Sequence, residues 1–145
     1  MAESAVKRIG VLTSGGDAPG MNPCVRAVVR TAIYHGIECY GIRRGWNGLI
    51  TGDIVRLDEK SVAHTINRGG TILYTARSKE FMTEDGHRRA VSTCKFLGLD
   101  SIVAIGGDGT FRGARALSKY GINVIGIPGT IDNDISCTNY CIGFD

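Results

Sequence analysis

Short runs of apolar, β-branched residues recur along the chain, separated by longer segments of mixed polarity. Four such runs, at 9–12, 37–42, 102–105 and 124–127, are rich in isoleucine and valine. Runs of this length without polar alternation are typical of strands buried on both faces. They therefore predict a parallel sheet that is covered by helices on each side.

The segments between these runs show helical periodicity. Apolar residues of the first segment follow the spacing of one helix face, at Val25, Val28, Val29, Ala32 and Ile33. Gly36 is well placed to end this helix. Shorter stripes predict three more helices, at 62 and 66, at 91, 94 and 97, and at 111, 114 and 117, and Gly98 and Gly121 follow the last two. This alternation predicts an α/β fold, a three-layer α/β/α sandwich around a mostly parallel, Rossmann-like sheet.

Two parts of the chain are less regular. The segment 43–58 is interrupted by three glycines, and we expect Trp46 and Leu49 to pack locally there. The final stretch, 135–145, runs toward a further element without a stop signal. We therefore expect one domain, residues 1–145, in a chain that is truncated.

Composition and charge limit the classes of function. The 145 residues include 21 glycines, and the net charge is only +3. Lysine and arginine are scattered and form no basic stripe of the kind that would predict nucleic-acid binding. No apolar run approaches the ~20 residues of a membrane span. The five cysteines are odd in number and form no CxxC pair, which predicts buried free thiols in a protein of the reducing cytoplasm.

The loop after the first predicted strand, 14–22, contains Gly15, Gly16 and Gly20 and leads into a helix with Pro23 in its first turn. A phosphate group could bind at Gly16 and at the N-terminus of that helix. A tight strand-to-helix turn explains the same residues equally well. The loop is not a P-loop, because no GxxxxGK[ST] motif occurs.

The loop after the third run, Gly106-Gly107-Asp108-Gly109-Thr110, places a carboxylate between glycines at the carboxyl end of a strand. Asp108 could approach a metal ion that bridges two phosphates, while the N–H groups that follow bind phosphate oxygens. An Asx-turn or helix-capping role is the alternative. The glycine spacing is one residue too long for a dinucleotide fingerprint, which disfavours hydride transfer.

The loop after the fourth run, Pro128-Gly129-Thr130-Ile131-Asp132-Asn133-Asp134, is the most specific of the three. If the chain is extended there, Thr130 and Asp132 point the same way, with Asp134 continuing the alternation. A hydroxyl beside a carboxylate could hold a substrate alcohol and remove its proton. The alternative is a turn that is stabilised by capping bonds. All three loops are expected at one edge of the sheet, where α/β proteins bind ligands.

Together these motifs resemble the amino-terminal half of ATP-dependent 6-phosphofructokinases of the bacterial type. The resemblance rests on the segments 7–22, 66–71, 106–110 and 128–134 and extends over nearly the whole chain. It implies a magnesium-dependent kinase of glycolysis, which transfers the γ-phosphoryl group of ATP to the 1-hydroxyl of fructose 6-phosphate. It also implies a homotetramer and a second lobe that is missing from this chain, so we expect the chain alone to be poorly active.

The resemblance implies roles for individual residues. ATP would be contacted by Gly16, Arg77, Ser78, Gly107, Asp108, Gly109 and Thr110, and Asp108 would position Mg²⁺. Fructose 6-phosphate would be contacted by Thr130, Ile131 and Asp132. Asp132 would be the catalytic base, supported by Thr130 and Asp134. Trp46 stands where relatives often have an aromatic residue near the adenine.

Glycines at 109 and 129 favour ATP as the donor. Relatives that use pyrophosphate generally have aspartate in place of Gly109 and lysine in place of Gly129. An NAD kinase or a lipid kinase is an alternative, since these families have a similar Gly-Gly-Asp-Gly-Thr loop, but they lack the run 130–134. A nucleotide-binding or oligomer-forming module without catalysis is the other alternative.

A regulatory site is also implied by the resemblance. Arg26 and Arg30 lie four residues apart, opposite the apolar stripe of their helix. In the family this pair binds a regulatory nucleotide such as ADP, or phosphoenolpyruvate. A solvated helix face is the alternative. Glu59 departs from the family, which often has an arginine there, and its charge would repel an anionic effector.

Overall fold

The computed structural model describes residues 6–16, 18–65, 69–132 and 135–143. Within them, one sheet contains five strands in the order β3-β2-β1-β4-β5. Their bounds are β1 (Arg8–Thr13), β2 (Glu38–Ile42), β3 (Ile54–Leu57), β4 (Ser101–Gly106) and β5 (Asn123–Pro128). Every neighbouring pair is parallel except β2 and β3, which are antiparallel. The predicted α/β fold with a mostly parallel sheet is confirmed.

The four predicted strands coincide with β1, β2, β4 and β5. In β1, Val11 pairs with Gly41 of β2 on one side and with Val103 of β4 on the other. These central strands are buried on both faces, as their continuous apolar runs predict. β5 differs from this prediction, because it is the edge strand of the described sheet and Ile125 is 61% exposed.

Four α-helices and a short 3₁₀ turn complete the described residues. The helices are α1 (Met21–Tyr34), α2 (Trp46–Thr51), α3 (Glu84–Leu97) and α4 (Asp108–Ser118), and the 3₁₀ turn is Glu80–Met82. The apolar stripes predicted α1, α3 and α4 correctly. The Thr83 side chain caps α3 by accepting a bond from the Gly86 N–H at 3.0 Å, and Gly98 ends that helix in the left-handed conformation.

The helices cover the two faces of the sheet unequally. On one face, Val25 and Val29 of α1 pack into a core with Val11 and Val103. On the other face, α2, α3 and α4 share a second core with the alternate strand residues, among them Leu12. Neighbouring strand residues point to opposite faces, so one strand serves both cores. The predicted three-layer arrangement is therefore confirmed.

The prediction of a helix from the stripe at 62 and 66 is wrong for the part of this segment that the structure describes. Residues 59–64 form turns, and Ile66 lies outside the described residues. The Asp58 carboxylate accepts bonds from the Ser61 N–H and hydroxyl, each at 2.9 Å, and His64 has a φ of 61°. Two apolar positions do not outweigh such local bonding, because side chains that bind the nearby backbone favour turns over helix.

The segment 43–58 is more regular than its glycines suggest. It contains α2 and the edge strand β3, neither of which is predicted by the sequence pattern. Trp46 and Leu49 are buried, as expected. In the described part of the chain, no helix combines the length and apolar character that crossing a bilayer would require.

Candidate functional site

The loops that follow β1, β4 and β5 meet at one edge of the sheet. The Ser14 N–H donates to the carbonyl oxygen of Ile105 at 2.9 Å, which ties the first loop to β4. The Gly129 N–H donates to the carbonyl oxygen of Gly106 at 2.8 Å, which ties β5 to the same strand. The expectation that these loops assemble at the carboxyl ends of the strands is therefore confirmed.

Close packing at Gly106 brings the first two loops together. A methyl group built on Gly106 would lie 2.6 Å from the carbonyl oxygen of Ser14 and 2.9 Å from Cβ of Thr110. Only a residue without a side chain allows the first loop to approach the start of α4 this closely. The glycine that ends β4 is thus required by this contact.

A cavity of ≈ 830 Å³ opens between these loops. Its polar end is formed by backbone and side chains of the three loops and of a neighbouring segment, namely Ser14, Gly15, Gly16, Arg77, Ser78, Lys79, Gly107, Asp108, Gly109, Thr110, Thr130 and Asp132. The structure thus brings together nearly all residues that the sequence assigned to ATP and to the sugar phosphate. Ile131 is exposed and does not line the cavity, and Asp134 lies outside the described residues.

The polar end of the cavity contains the N-terminus of α4. The N-cap residue Gly107 has no side chain to accept from the free N–H groups, so these groups can bind an anion. Thr110, in the first turn, is only 2% exposed, and its hydroxyl has no hydrogen-bond partner among the described residues. Residues of α1 do not line the cavity, so the helix end that opens to it is that of α4.

Asp108 is the acidic residue of that first turn. Its carboxylate Oδ2 lies 2.9 Å from Nη2 of Arg112, one helical turn later, and Asp108 is half-exposed. No group of three or more metal-binding side chains occurs among the described residues. A single carboxylate beside an anion site fits Mg²⁺, which prefers one or two carboxylates together with phosphate oxygens and waters. The residues present therefore fit a metal that arrives with a phosphorylated ligand.

The loop after β5 bends where the sequence suggested an extended segment. Residues 131 and 132 form a bend, and the Asp132 N–H donates to Oγ1 of Thr130 at 3.2 Å. Thr130 packs against Gly107, whose added methyl group would lie 3.4 Å from Cβ of Thr130. The extended alternation that predicted a common direction for Thr130 and Asp132 is absent. Both residues still line the same cavity, because of this turn.

Aromatic and aliphatic side chains form the other end of the cavity. Trp46 of α2 stacks on Phe81 of the 3₁₀ turn, with ring centroids 4.7 Å apart and planes inclined by 4°. The rings of His87 and Phe81 meet in a T-shaped arrangement, with their centroids 5.0 Å apart. Met82, Gly113 and Ala116 complete this end. Such a surface suits a flat, partly apolar group.

Sequence reasoning did not identify Phe81 or Arg112 as site residues. Phe81 lies in a short 3₁₀ turn whose place beside α2 depends on tertiary packing. Arg112 did carry a signal, because it follows Asp108 by four residues in a predicted helix, the spacing at which side chains of opposite charge meet.

The residues assigned to a regulatory site lie away from this cavity. Arg30 is exposed and Arg26 is half-buried on α1, and neither has an ion pair with a described residue. Glu59 lies in a separate groove, with Glu38 and Lys60, that neither arginine lines. The structure therefore does not bring Glu59 and the arginine pair into one pocket within this chain.

Among the described residues, the ionisable groups with altered pKa lie outside the cavity lining, near strand ends or in the cores. Hydrogen bonds from the N–H groups of Arg8 and Lys7 lower the pKa of Asp100, and the Arg8 side chain lowers the pKa of Glu38. Burial raises the pKa of Cys39 to about 12 and that of Cys94 to about 11. These thiols are therefore protonated at neutral pH and pack as apolar groups.

Comparisons with known proteins point to one family. The phosphofructokinase family model matches residues 8–145. An ATP-dependent 6-phosphofructokinase of Halothermothrix orenii is 60% identical over 141 residues, which cover 97% of this chain and 42% of that protein. The enzyme of the same name from Halalkalibacterium halodurans is 57% identical over 140 residues, which cover 97% of this chain and 44% of that protein. The chain thus spans less than half the length of these relatives.

Solved structures agree with the fold. The phosphofructokinase of Pichia pastoris in the T-state superposes with a TM-score of 0.91 at 38% identity, covering 97% of this chain and 17% of that one. A pyrophosphate-dependent phosphofructokinase from Nitrosospira multiformis superposes with a TM-score of 0.86 at 22% identity, covering 97% of this chain and 38% of that one. The latter similarity establishes the fold alone.

Proposed function

This chain belongs to the phosphofructokinase family, and we propose that it forms the nucleotide-binding part of an ATP-dependent 6-phosphofructokinase. In the reaction, the 1-hydroxyl oxygen of fructose 6-phosphate attacks the γ-phosphorus of ATP. The bond from that phosphorus to the bridging oxygen of ADP breaks, and the hydroxyl proton passes to a carboxylate. The products are fructose 1,6-bisphosphate and ADP.

One observation carries this proposal. The open N-terminus of α4 and the Thr130–Asp132 turn line the same cavity, so an anion site and a carboxylate face one space. Phosphoryl transfer needs this combination, because the transferred group must be held beside a hydroxyl whose proton is removed. An anion site alone would support binding, and a carboxylate alone would support many reactions.

Each polar residue has a role in this proposal. The N–H groups at the start of α4 and the unpartnered Thr110 hydroxyl bind phosphate oxygens, together with Arg77. Asp132 accepts the proton of the sugar hydroxyl, and its own N–H bond to Thr130 fixes the turn that presents it. Asp108 would hold Mg²⁺, which supplies positive charge to the phosphate oxygens. Asp134 is proposed as a supporting group on the basis of the resemblance.

The aromatic end of the cavity supports ATP over pyrophosphate. The stacked pair of Trp46 and Phe81 is only 5% exposed and forms the floor of this end, and the exposed Met82 beside it offers apolar surface for a nucleobase, for which pyrophosphate has no counterpart. A methyl group built on Gly109 meets no atom within 4 Å, so a larger side chain there would extend into space left for the nucleotide. At Gly129 the corresponding methyl group would lie 3.2 Å from Cγ2 of Ile105, so a side chain there would require Ile105 to shift by a few tenths of an ångström.

The wider properties of the protein are inferred from the family. We propose a homotetramer in the cytoplasm, formed by subunits that include the length present in the relatives. The Arg26 and Arg30 side chains would bind ADP or phosphoenolpyruvate as an effector, because one is exposed, the other is half-buried, and neither has a carboxylate partner among the described residues. The sugar phosphate itself is expected to need groups beyond this chain.

Two measurements test the proposal. Isothermal titration calorimetry on this chain should show binding of MgATP and much weaker binding of magnesium pyrophosphate. A chimera, in which this chain replaces the matching segment of the Halothermothrix orenii enzyme, should phosphorylate fructose 6-phosphate with ATP in a coupled assay. Asp132→Asn in the chimera should lower turnover by about 10² to 10⁴, the usual contribution of a general base, with little change in sugar binding.

The outcomes separate the parts of the proposal. Failure of the chain to bind MgATP would reject the nucleotide site. Turnover of the Asp132→Asn chimera close to that of the parent chimera would reject Asp132 as the base. A chimera that prefers pyrophosphate would reject the argument from Gly109. Asn is the matched change here because it keeps the size of Asp132 and replaces the charged, basic carboxylate with a neutral amide.

A further inference from the structure

The ion pair between Asp108 and Arg112 occupies the carboxylate that is proposed to hold Mg²⁺. The two charged groups are 2.9 Å apart, at Oδ2 and Nη2, and both residues line the cavity. Their side chains are 50% and 81% exposed, respectively. A pair this exposed is weak, so a competing cation can replace the guanidinium.

The pair matters because Asp108 faces a site for anions. Gly107, Gly109 and Thr110 surround this carboxylate with phosphate-binding groups. An unneutralised carboxylate there would repel a polyphosphate. A positive charge beside Asp108 therefore favours binding of the polyphosphate when no metal ion is present.

Other cations of the cavity are arranged differently. Arg77 and Lys79 line the same space and form no ion pair with any described residue. They are therefore available to a ligand phosphate directly. Among the cations of the described lining, Arg112 is the one that forms an ion pair with a carboxylate. Its role should therefore differ from that of Arg77 and Lys79.

We infer that Arg112 is a positioning residue that acts through Asp108, as a resident counter-cation that Mg²⁺ replaces. In the metal-free chain its guanidinium neutralises Asp108, so that the anion site accepts a nucleotide even without metal. With Mg²⁺ and a nucleotide present, Asp108 would hold the metal, and the Arg112 guanidinium would turn to the solvent, to which 81% of the side chain is already exposed. This inference rests on the proposed function, because it assumes a nucleotide polyphosphate as the ligand.

Calorimetric titration of ATP into the chain tests the inference, once with excess EDTA and once with excess Mg²⁺. Arg112→Met should weaken metal-free ATP binding about fivefold, the effect of one uncompensated charge near a phosphate in water. The same variant should change MgATP binding by less than about twofold. Methionine and arginine have similar helix propensities, so α4 is preserved, as circular dichroism can verify.

The double variant Asp108→Asn with Arg112→Met removes both charges. Its metal-free ATP affinity should return to within about twofold of the unmodified chain, because the repulsion is gone. Arg115→Met is the matched control, since Arg115 lies on the same helix but does not line the cavity. Arg115→Met should change neither the metal-free ATP affinity nor the MgATP affinity.

Three results would contradict the inference. Equal weakening of metal-free and MgATP binding by Arg112→Met would mean that Arg112 contacts the nucleotide in both states. If Arg112→Met and Arg115→Met had the same affinity for metal-free ATP, the inference alone would be overturned and the proposed function would stand. No ATP binding by the unmodified chain under either condition would overturn the proposed function and this inference with it.

Discussion

Two glycines of the loop after β4 should respond oppositely to the same substitution. Gly106 is the last residue of β4, and a methyl group there would lie 2.6 Å from the Ser14 carbonyl oxygen. Gly109 is in the first turn of α4, and a methyl group there meets no atom within 4 Å. Alanine substitutions at these two positions, three residues apart, therefore compare a position with no space for a methyl group with one that has space.

The magnitude follows from these contacts. A carbon cannot remain 2.6 Å from a backbone oxygen, so Gly106→Ala must move the first loop or the end of β4. Overpacking of this kind costs about 1–3 kcal/mol of unfolding free energy. Gly109→Ala should instead raise the unfolding free energy by about 0.5 kcal/mol, because alanine favours helix and restricts the unfolded chain. The two variants should differ by about 2 kcal/mol.

Urea unfolding followed by far-UV circular dichroism measures this difference. With a slope of about 2 kcal/mol per molar urea, the midpoint of Gly106→Ala should fall about 1 M below that of Gly109→Ala. Gly106→Ala should also lose MgATP affinity, because Ser14 and Thr110 are displaced together. Equal midpoints for the two variants would refute the argument that close packing at Gly106 assembles the site.

Three further predictions test other parts of the molecule. Gly109→Asp should leave the unfolding midpoint nearly unchanged but weaken MgATP binding about tenfold, measured by calorimetry, and retained affinity would contradict the argument about space for the nucleotide. The bonds that lower the pKa of Asp100 favour its charged form, so their contribution to stability is present at neutral pH and is lost as the pH falls below about 4. The unfolding free energy of the unmodified chain should therefore exceed that of Asp100→Asn at pH 7 and approach it at pH 2–3 in urea titrations; a constant difference would contradict this. Because Glu59 and the pair Arg26 and Arg30 do not share a pocket within this chain, Glu59→Arg should change ADP binding to the chain by less than about twofold by calorimetry, and a larger gain in affinity would restore the charge explanation for Glu59.

Local patterns predicted the elements that are stabilised by burial in the middle of the sheet. The runs that became β1 and β4 are apolar on both faces because helices cover both sides. β3 was not predicted, because its four residues include exposed Arg56 and it owes its conformation to pairing with β2. Edge strands of this kind carry little signal of their own, since half of their hydrogen-bonding groups face no partner.

The candidate site was predictable where its residues follow strands directly. Gly16, Asp108 and Thr130 each lie just beyond a run that the apolar pattern identifies. Phe81 was not predictable in this way, because it reaches the cavity through stacking on Trp46 from a different segment. Contacts between segments that are distant in sequence have no periodic signature, and only the tertiary structure shows them.

The order of the strands explains why the cavity lies where it does. β1 and β4 are neighbours, but the chain leaves β1 through α1 toward β2 and leaves β4 through α4 toward β5, in opposite directions across the sheet. Right-handed crossovers in opposite directions place α1 and α4 on opposite faces, so the loops after β1 and β4 diverge beyond their contact at Ser14 and Gly106. A crevice must open at such a reversal of strand order, and ligands of α/β sheets bind there. Gly16 and Asp108 lie on its two sides. Local sequence can show that both loops suit an anion, but their position across one crevice depends on the pairing of β1 with β4, which no local pattern encodes.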